Sequence, residues 1–262
     1  EFGLGVEADG LDPQALDRGI DAACEVLRRR LEQIGVRAVE VNSIPDSRIR
    51  VSFEGETTPD FDPKEILTRR AQLEFRLVDE GPVLVRVAEH LGEGALVDPR
   101  DGGIRIPAGR WDELNAAPME AGLREIVGPR RLLAAVAEPG ADPSTVLVQC
   151  VEESILLSGE EIETAAVSPD PDLPNALSVQ VKFTSRGTTM LADATGRSIG
   201  RRMAIVLDER VVTAPVVRDR IENGRATISR GFTPEEARTL VRLLRAGALP
   251  IELRLIVERG ER

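Results

Sequence analysis

"GFTPEEARTLVRLLRAGALP", residues 231–250, is punctuated at both ends. Thr233 can cap a helix, Pro234 fits the first helical position, and Glu236 stands three residues beyond the cap. Together they predict a capping box, in which two side chains satisfy backbone N–H groups that a first turn leaves orphaned. Ala237, Leu240, Val241 and Leu244 recur at helical spacing and give one apolar face. Arg242 and Arg245 fall in the last turns, where cations suit the helix dipole. Gly247 suits the left-handed position after the helix, and Pro250 forbids continuation. "IELRLIV" (251–257) then alternates like a strand. The unit is a helix packed by one face, a turn and a strand.

The same grammar runs outward from this stretch. At the N-terminal side "FGLGVEA" (2–8) reads as a strand. Asp12-Pro13 opens a long helix with Leu16, Ile20, Leu27, Leu31 and Ile34 on one face and Gly35 as its stop. "RAVEVNS" (37–43) and "RIRVSFE" (48–54) alternate as strands about a turn at Pro45-Asp46. Asp62-Pro63 opens a short helix, and "AQLEFRLVD" (71–79) is the next strand. The C-terminal side repeats the order. "LSVQVKFT" (177–184) is a strand, 185–199 a helix, and "RMAIVLDERVV" (202–212) and "RATISR" (225–230) are strands ahead of the capped helix. Each half spells β-α-β-β-α-β, the split arrangement of a ferredoxin-like fold.

Between the halves the pattern changes. Gly and Pro cluster in "DPRDGGIRIPAGRW" (98–111) and "AEPGADPS" (137–144). "LREIVGPRRLLAAVAE" (123–138) predicts one helix broken at Gly128-Pro129, and "TVLVQCVEES" (145–154) a strand. "SPDPDLPN" (168–175) is a loop returning to the base. The expected fold is α+β: a ferredoxin-like base of two similar halves, residues 1–80 and 156–262, carrying an inserted smaller head lobe, 81–155.

Composition narrows the function. The chain has 262 residues, 42% of them hydrophobic and 30% charged. A chain of this size buries roughly 70–75% of its unfolded surface and needs no staples. Aromatics are 3% and Tyr is absent, so stacking platforms for bases are lacking. A net charge of −11 repels phosphate backbones, so no nucleic-acid partner is expected. No apolar run approaches the roughly 20 residues that span a bilayer. The opening "EFGLGVEADG" lacks Met and a signal peptide, and the chain reads as a mature or excised piece. Cys24 suits a buried free thiol on a helix; a disulfide to the distant Cys150 is the alternative.

The inventory for chemistry is poor. His90 is the sole histidine, without Cys or carboxylate at ligand spacing, and reads as a solvated residue. "DGG" (101–103) and "ENGRATISRG" (222–231) lack the features of a phosphate loop; Asn223-Gly224 predicts a hairpin turn. Thr184 and Ser185 suit helix capping rather than nucleophilic catalysis. Arg28, Arg29 and Arg30 spread around a helix, which argues against a basic face for anionic lipid. The reading is not an enzyme, with no catalytic, cofactor-binding or metal residue and with binding residues unassigned.

Residues 201–250 carry more than periodicity. "AIVLD" (204–208), "APVV" (214–217), "GFTPEEA" (231–237) and "RAGALP" (245–250) resemble the end of the first large extracytoplasmic domain of SecD, a subunit of the bacterial Sec protein translocase. The family's corresponding strand is of the kind "AIVLDGKVISAPVI". "LDRGIDAACEVLRRRLEQIGV" (16–36), "AQLEFRLVDE" (71–80) and "LLSGEEIETAAV" (156–167) look like further family segments, while 81–155 matches little and the "LGLDLQGG" opening is missing. The resemblance implies an extracytoplasmic, periplasmic domain of an inner-membrane protein, anchored through parent helices absent from this chain. It implies SecF, the SecYEG channel and unfolded preprotein as partners, in proton-driven export whose proton carriers lie in those helices. No family catalytic residue is available to carry over. Docking on SecF or SecYEG without touching substrate is the rival reading, and a small-molecule-binding α+β domain a further one.

Overall fold

The computed structural model describes residues 2–7, 12–33, 35–54, 63–137, 141–170, 173–174 and 176–258. The chain begins with β1 (Phe2–Glu7), α1 (Pro13–Gln33), β2 (Arg37–Ile44), β3 (Arg48–Glu54), α2 (Pro63–Thr68) and β4 (Leu73–Leu77). Its middle holds α3 (Pro82–Leu91), β5 (Leu96–Asp98), β6 (Gly103–Pro107), α4 (Ala108–Ala116), α5 (Ala121–Val127), β7 (Arg130–Ala134) and β8 (Thr145–Glu152). It continues through β9 (Leu157–Ser158), β10 (Ile162–Pro169), β11 (Leu177–Phe183), α6 (Ser185–Arg197) and β12 (Met203–Leu207). It ends with β13 (Arg210–Thr213), β14 (Arg225–Phe232), α7 (Pro234–Ala246) and β15 (Glu252–Glu258). The class is α+β, in two compact units: residues 1–72 with 233–262, and residues 73–232.

The first unit is an antiparallel sheet in the order β15-β1-β3-β2 with helices packed on it. Asp12 Oδ1 accepts the N–H groups of Gln14 and Ala15, both at 3.0 Å, and so opens α1. Ile20, Ala23, Leu27 and Leu31 of that helix bury against Val41, Ile49, Val51 and Leu253. Asp46 and Ser47 turn between β2 and β3 with φ of 65° and 52°. Ile34, assigned to the same helix face by periodicity, lies outside the described residues.

Helix α7 follows its sequence signals. Thr233 Oγ1 accepts the Glu236 N–H at 3.2 Å, and Glu236 Oε2 accepts the Thr233 N–H at 2.9 Å. Ala237, Leu240, Val241 and Leu244 are buried, and Gly247 stands at φ 95°. Thr233→Ala is expected to lower the unfolding free energy by about 1 kcal/mol. Leu244→Ala should lower it by about 3 kcal/mol, through lost transfer energy and a cavity. Urea melts check the pair, and a Leu244→Ala loss no larger than the cap loss would mean that the apolar face is not packed.

The last strand of this sheet is β15, which lies on β1. The sequence reading gave that place to β4, which instead lies between β12 and β9 in the second unit. Burial explains the exchange. All five residues of β4 are buried, as suits the interior of a sheet covered on both faces. In β15 the exposed Glu252 and Arg254 alternate with the buried Leu253, as suits an edge strand packed on one side.

Among its described residues the second unit holds three sheets: β13-β12-β4-β9, β10-β11-β14 and β5-β6-β8-β7. The C-terminal half therefore repeats an element order without repeating one sheet, since β11 and β12 lie in different sheets. The stretch 202–212 is a hairpin rather than one strand: Asp208 and Glu209 turn at φ of 48° and 65° between β12 and β13. Two non-glycine residues in the left-handed region disguise that turn. Asn223-Gly224 forms no hairpin, because β14 pairs with β11. Gly224 sits at φ 63° against Thr188, whose side chain leaves no room for a Cβ. Beyond Gly128, at φ 59°, the expected broken helix gives way to β7.

Helices α3 and α5 cover one face of the β5-β6-β8-β7 sheet in a core that includes Val87, Ile104, Leu123, Val148 and Cys150. This sheet is continuous with the strands around it. Val78 bridges Val151, Ala135 bridges Val211, and Leu133, Val151, Ala204 and Val206 share one core. The two compact units part at 72/73 and 232/233.

Candidate functional site

Among the described residues of the second unit, two clefts matter here. The apolar one has a volume of about 370 Å³. Phe75 of β4, Met203 and Ile205 of β12, Leu191 of α6 and Ala226 of β14 line it, with residues 215–221 as a wall. Local bonds fix that wall. Gly200 N donates to Val217 O at 2.8 Å, Val217 N to Arg201 O at 2.9 Å, and Met203 N to Pro215 O at 3.0 Å. Thr195 Oγ1 accepts the Ile221 N–H at 2.9 Å and donates to Leu191 O at 2.7 Å, tying the wall to α6. The helix itself begins where Thr184 Oγ1 accepts the Gly187 N–H at 3.1 Å, the capping role read from the sequence. The rings of Phe75 and Phe183 meet edge to face with centroids 5.7 Å apart. Val216 on the wall is 42% exposed. Such a surface takes apolar side chains without a gross rearrangement.

The second cleft, of about 420 Å³, is lined by β6, β8, β13 and the segments 135–137 and 141–143. Its charges are largely committed. Arg105 pairs with Asp98 at 2.7 Å and Asp101 at 2.6 Å, and Arg202 with Glu80 at 3.0 Å. The hydrogen bond from Arg105 holds the Asp98 carboxyl below its ordinary range, against a smaller opposing effect of burial.

The residues singled out from the sequence are scattered. His90 lies on α3 and contacts Glu120 ahead of α5, away from the lining of both clefts. Cys24 and Cys150 are both buried free thiols in separate units, so the disulfide alternative does not hold. Arg28 pairs with the exposed Glu25, whereas Arg30 is buried. Of the "DGG" stretch, Asp101 reaches the second cleft. Among the described residues no group of His, Cys, Asp and Glu is placed to hold a metal ion, and no helix is long and apolar enough to cross a membrane. Sequence reasoning missed both clefts. One signal was present: Gln149 interrupts the apolar run of "TVLVQCVE" (145–152).

Comparison with known proteins places this architecture. The family model described as the SecDF P1 head subdomain matches residues 135–251. That described as the N-terminal part of the P1 domain of protein translocase subunit SecDF matches residues 20–80. The protein translocase subunit SecD of Magnetococcus marinus is 33% identical over 240 residues, covering 92% of this chain and 39% of that protein. The SecD subunit of Desulfurispirillum indicum is 31% identical, covering 92% of this chain and 40% of that protein. The chain thus spans about 40% of the length of these curated relatives. A solved chain from work on "a membrane component SecDF that enhances protein export" superposes with a TM-score of 0.64 at 26% identity, covering 99% of both chains. SecDF in a super-membrane-facing form gives 0.62 at 25% identity, covering 97% of this chain and 29% of that one. The head description attaches to residues 135–251, which include 135–155 of the expected head lobe.

Proposed function

The chain belongs to the SecD/SecDF family of protein-translocase subunits, where it corresponds to the P1 domain, and from this we propose that it holds unfolded preprotein on the extracytoplasmic side of the membrane during export. SecF and the SecYEG channel are the partners that the family suggests, and proton-driven translocation the process it serves. The role is binding, without catalysis.

The observation that carries this reading is the apolar cleft of about 370 Å³ with the exposed Val216 on its wall. An unfolded chain offers apolar side chains that a folded one hides. Fully burying one such side chain is worth roughly 1.5–3 kcal/mol. A few of them give micromolar affinity, about −8 kcal/mol, which still permits release. A largely apolar contact should also survive moderate salt, since screening acts on exposed charges.

The test is titration of a fluorescent, reduced and unfolded model protein. Wild type should bind with a Kd on the order of micromolar, and Val216→Asp should weaken binding about tenfold, or about 1.4 kcal/mol. Val216 is exposed, so that variant leaves the fold intact. Absence of binding by wild type at about 0.5 mM, a Kd beyond about −4.5 kcal/mol, would remove the holding role and favour docking on the translocase alone.

A further inference from the structure

Gln149 stands out in the second cleft. Val148 and Cys150 of β8 face the core under α3 and α5. Strand alternation sends Thr145, Leu147 and Gln149 to the opposite face, and all three line the cleft of about 420 Å³. Gln149 is only 2% exposed. Its Nε2 donates to the Asp101 carbonyl at 2.5 Å. That bond fixes the amide's orientation, because the flipped form would set oxygen against oxygen. Among the described residues, Oε1 accepts no hydrogen bond. A buried acceptor left this way is unfavourable and calls for an explanation.

The nearby donors do not supply one. Arg105 spends its guanidinium on Asp98 and Asp101. Arg202 spends its own on Glu80 and on the carbonyls of Ala214 and Arg100. The remaining lining combines the apolar Leu147, Ala135, Val211 and Pro215 with Arg210, Asp142 and the hydroxyls of Thr145, Thr213 and Ser229. The cleft therefore offers one buried acceptor beside apolar sides, with Arg105 and Arg202 engaged by their own carboxylates and Arg210 exposed on β13. A phosphate or carboxylate has only acceptor oxygens and cannot satisfy Gln149 Oε1, which needs a donor. A neutral chain with small apolar side chains and an N–H donor fits.

We infer that this cleft binds the main chain of an extended polypeptide, one backbone N–H donating to Gln149 Oε1. The inference rests on the polypeptide-holding reading and deepens it. Recognition through a main-chain amide tolerates most sequences and rejects a residue without an N–H, such as proline. This cleft is distinct from the apolar one lined by Met203 and Ile205.

The probe is an acetylated and amidated nonapeptide of Ala and Val, beside the same peptide N-methylated at its central residue. The readouts are peptide affinity and the NMR signals of the Gln149 side-chain amide. The unmethylated peptide should move those signals. Gln149→Met and central N-methylation should each weaken binding about tenfold, and combining them should add little, since both remove one bond. Should Gln149→Met not fold, Thr145→Trp fills the cleft from its half-buried rim and should likewise weaken the peptide. Peptide binding unchanged in these variants, with shifts confined to residues such as Ile205 and Val216, would overturn the inference and leave the holding role standing. Failure of the peptide to bind at millimolar concentration, with the unfolded protein still bound, would overturn it as well. Failure of the unfolded protein itself removes the holding role and, with it, this deepening.

Discussion

Replacing Arg30 with Met is expected to destabilise the first unit by about 4 kcal/mol or more. Arg30 is 1% exposed. Its guanidinium donates to the carbonyls of Ile66 at 2.8 Å, Arg69 at 2.6 Å, Arg70 at 3.1 Å and Gly247 at 3.1 Å. These oxygens lie at the C-terminal ends of α2 and α7 and just beyond them. The last carbonyls of a helix have no intrahelical donor and carry its negative dipole end. One cation therefore terminates two helices that are distant in the chain. Methionine keeps much of the volume but leaves four acceptors behind. Exchanging a buried ion pair for apolar residues can be neutral when both partners go. Here the carbonyls stay, so each charge-assisted bond lost counts for roughly 1–2 kcal/mol after partial hydration. Arg30→Lys should recover part of the loss, because a point charge cannot reproduce the planar fork. Urea unfolding of the three proteins checks the order. A Met loss below about 1 kcal/mol would mean that water replaces the guanidinium freely.

That residue also marks the limit of legibility. The triplet Arg28-Arg29-Arg30 reads only as spread around a helix, because composition cannot rank its members. Spacing could have: Ala23, Leu27 and Arg30 fall on one helical face, and all three are buried. What the reading lacked was the set of carbonyls, which the fold brings from 36 to 217 residues away. The same division runs through the fold. The capping box of α7, the start of α1 and the cap of α6 are local, and the sequence states them outright. Which strand completes the first sheet is not local. β4 and β15 both alternate acceptably, and only their burial on two faces or one separates them. The turn at Asp208-Glu209 was hidden by residue type, since the family's "DG" would have announced it. Each cleft is assembled from elements that meet only in the folded chain, so the polar Gln149 inside an apolar strand was the one local sign of either.

Raising the pH from 9 to about 12 is expected to remove on the order of 4 kcal/mol of stability, most of it through Cys150. Burial pushes the Cys150 thiol from 9.0 up to about 12; the Asp79 carboxylate adds to the shift and Arg130 offsets part of it. Burial favours the neutral carboxyl at Asp79, but the Gly81 N–H and Arg130 together lower its pKa and keep it ionised beside the thiol. The folded state thus keeps the thiol proton while the unfolded chain loses it. Between the unfolded and folded values the native state binds the extra proton, so stability falls as pH rises. The contribution is fully present below about pH 9 and declines by about 1.4 kcal/mol per pH unit above it. Cys24 adds in the same direction, its thiol raised by burial and then by Asp21. The chain is well suited to the measurement. It has no Tyr, and Lys64 and Lys182 are its only lysines, so few other groups titrate in this window. Urea melts at intervals from pH 8 to 11.5 should give a declining line for wild type. Cys150→Ala should start lower, because a buried side chain is truncated, yet decline far less. Parallel lines for the two proteins would show that the thiol ionises as readily in the folded chain as in the unfolded one, and that the core under α3 and α5 admits water.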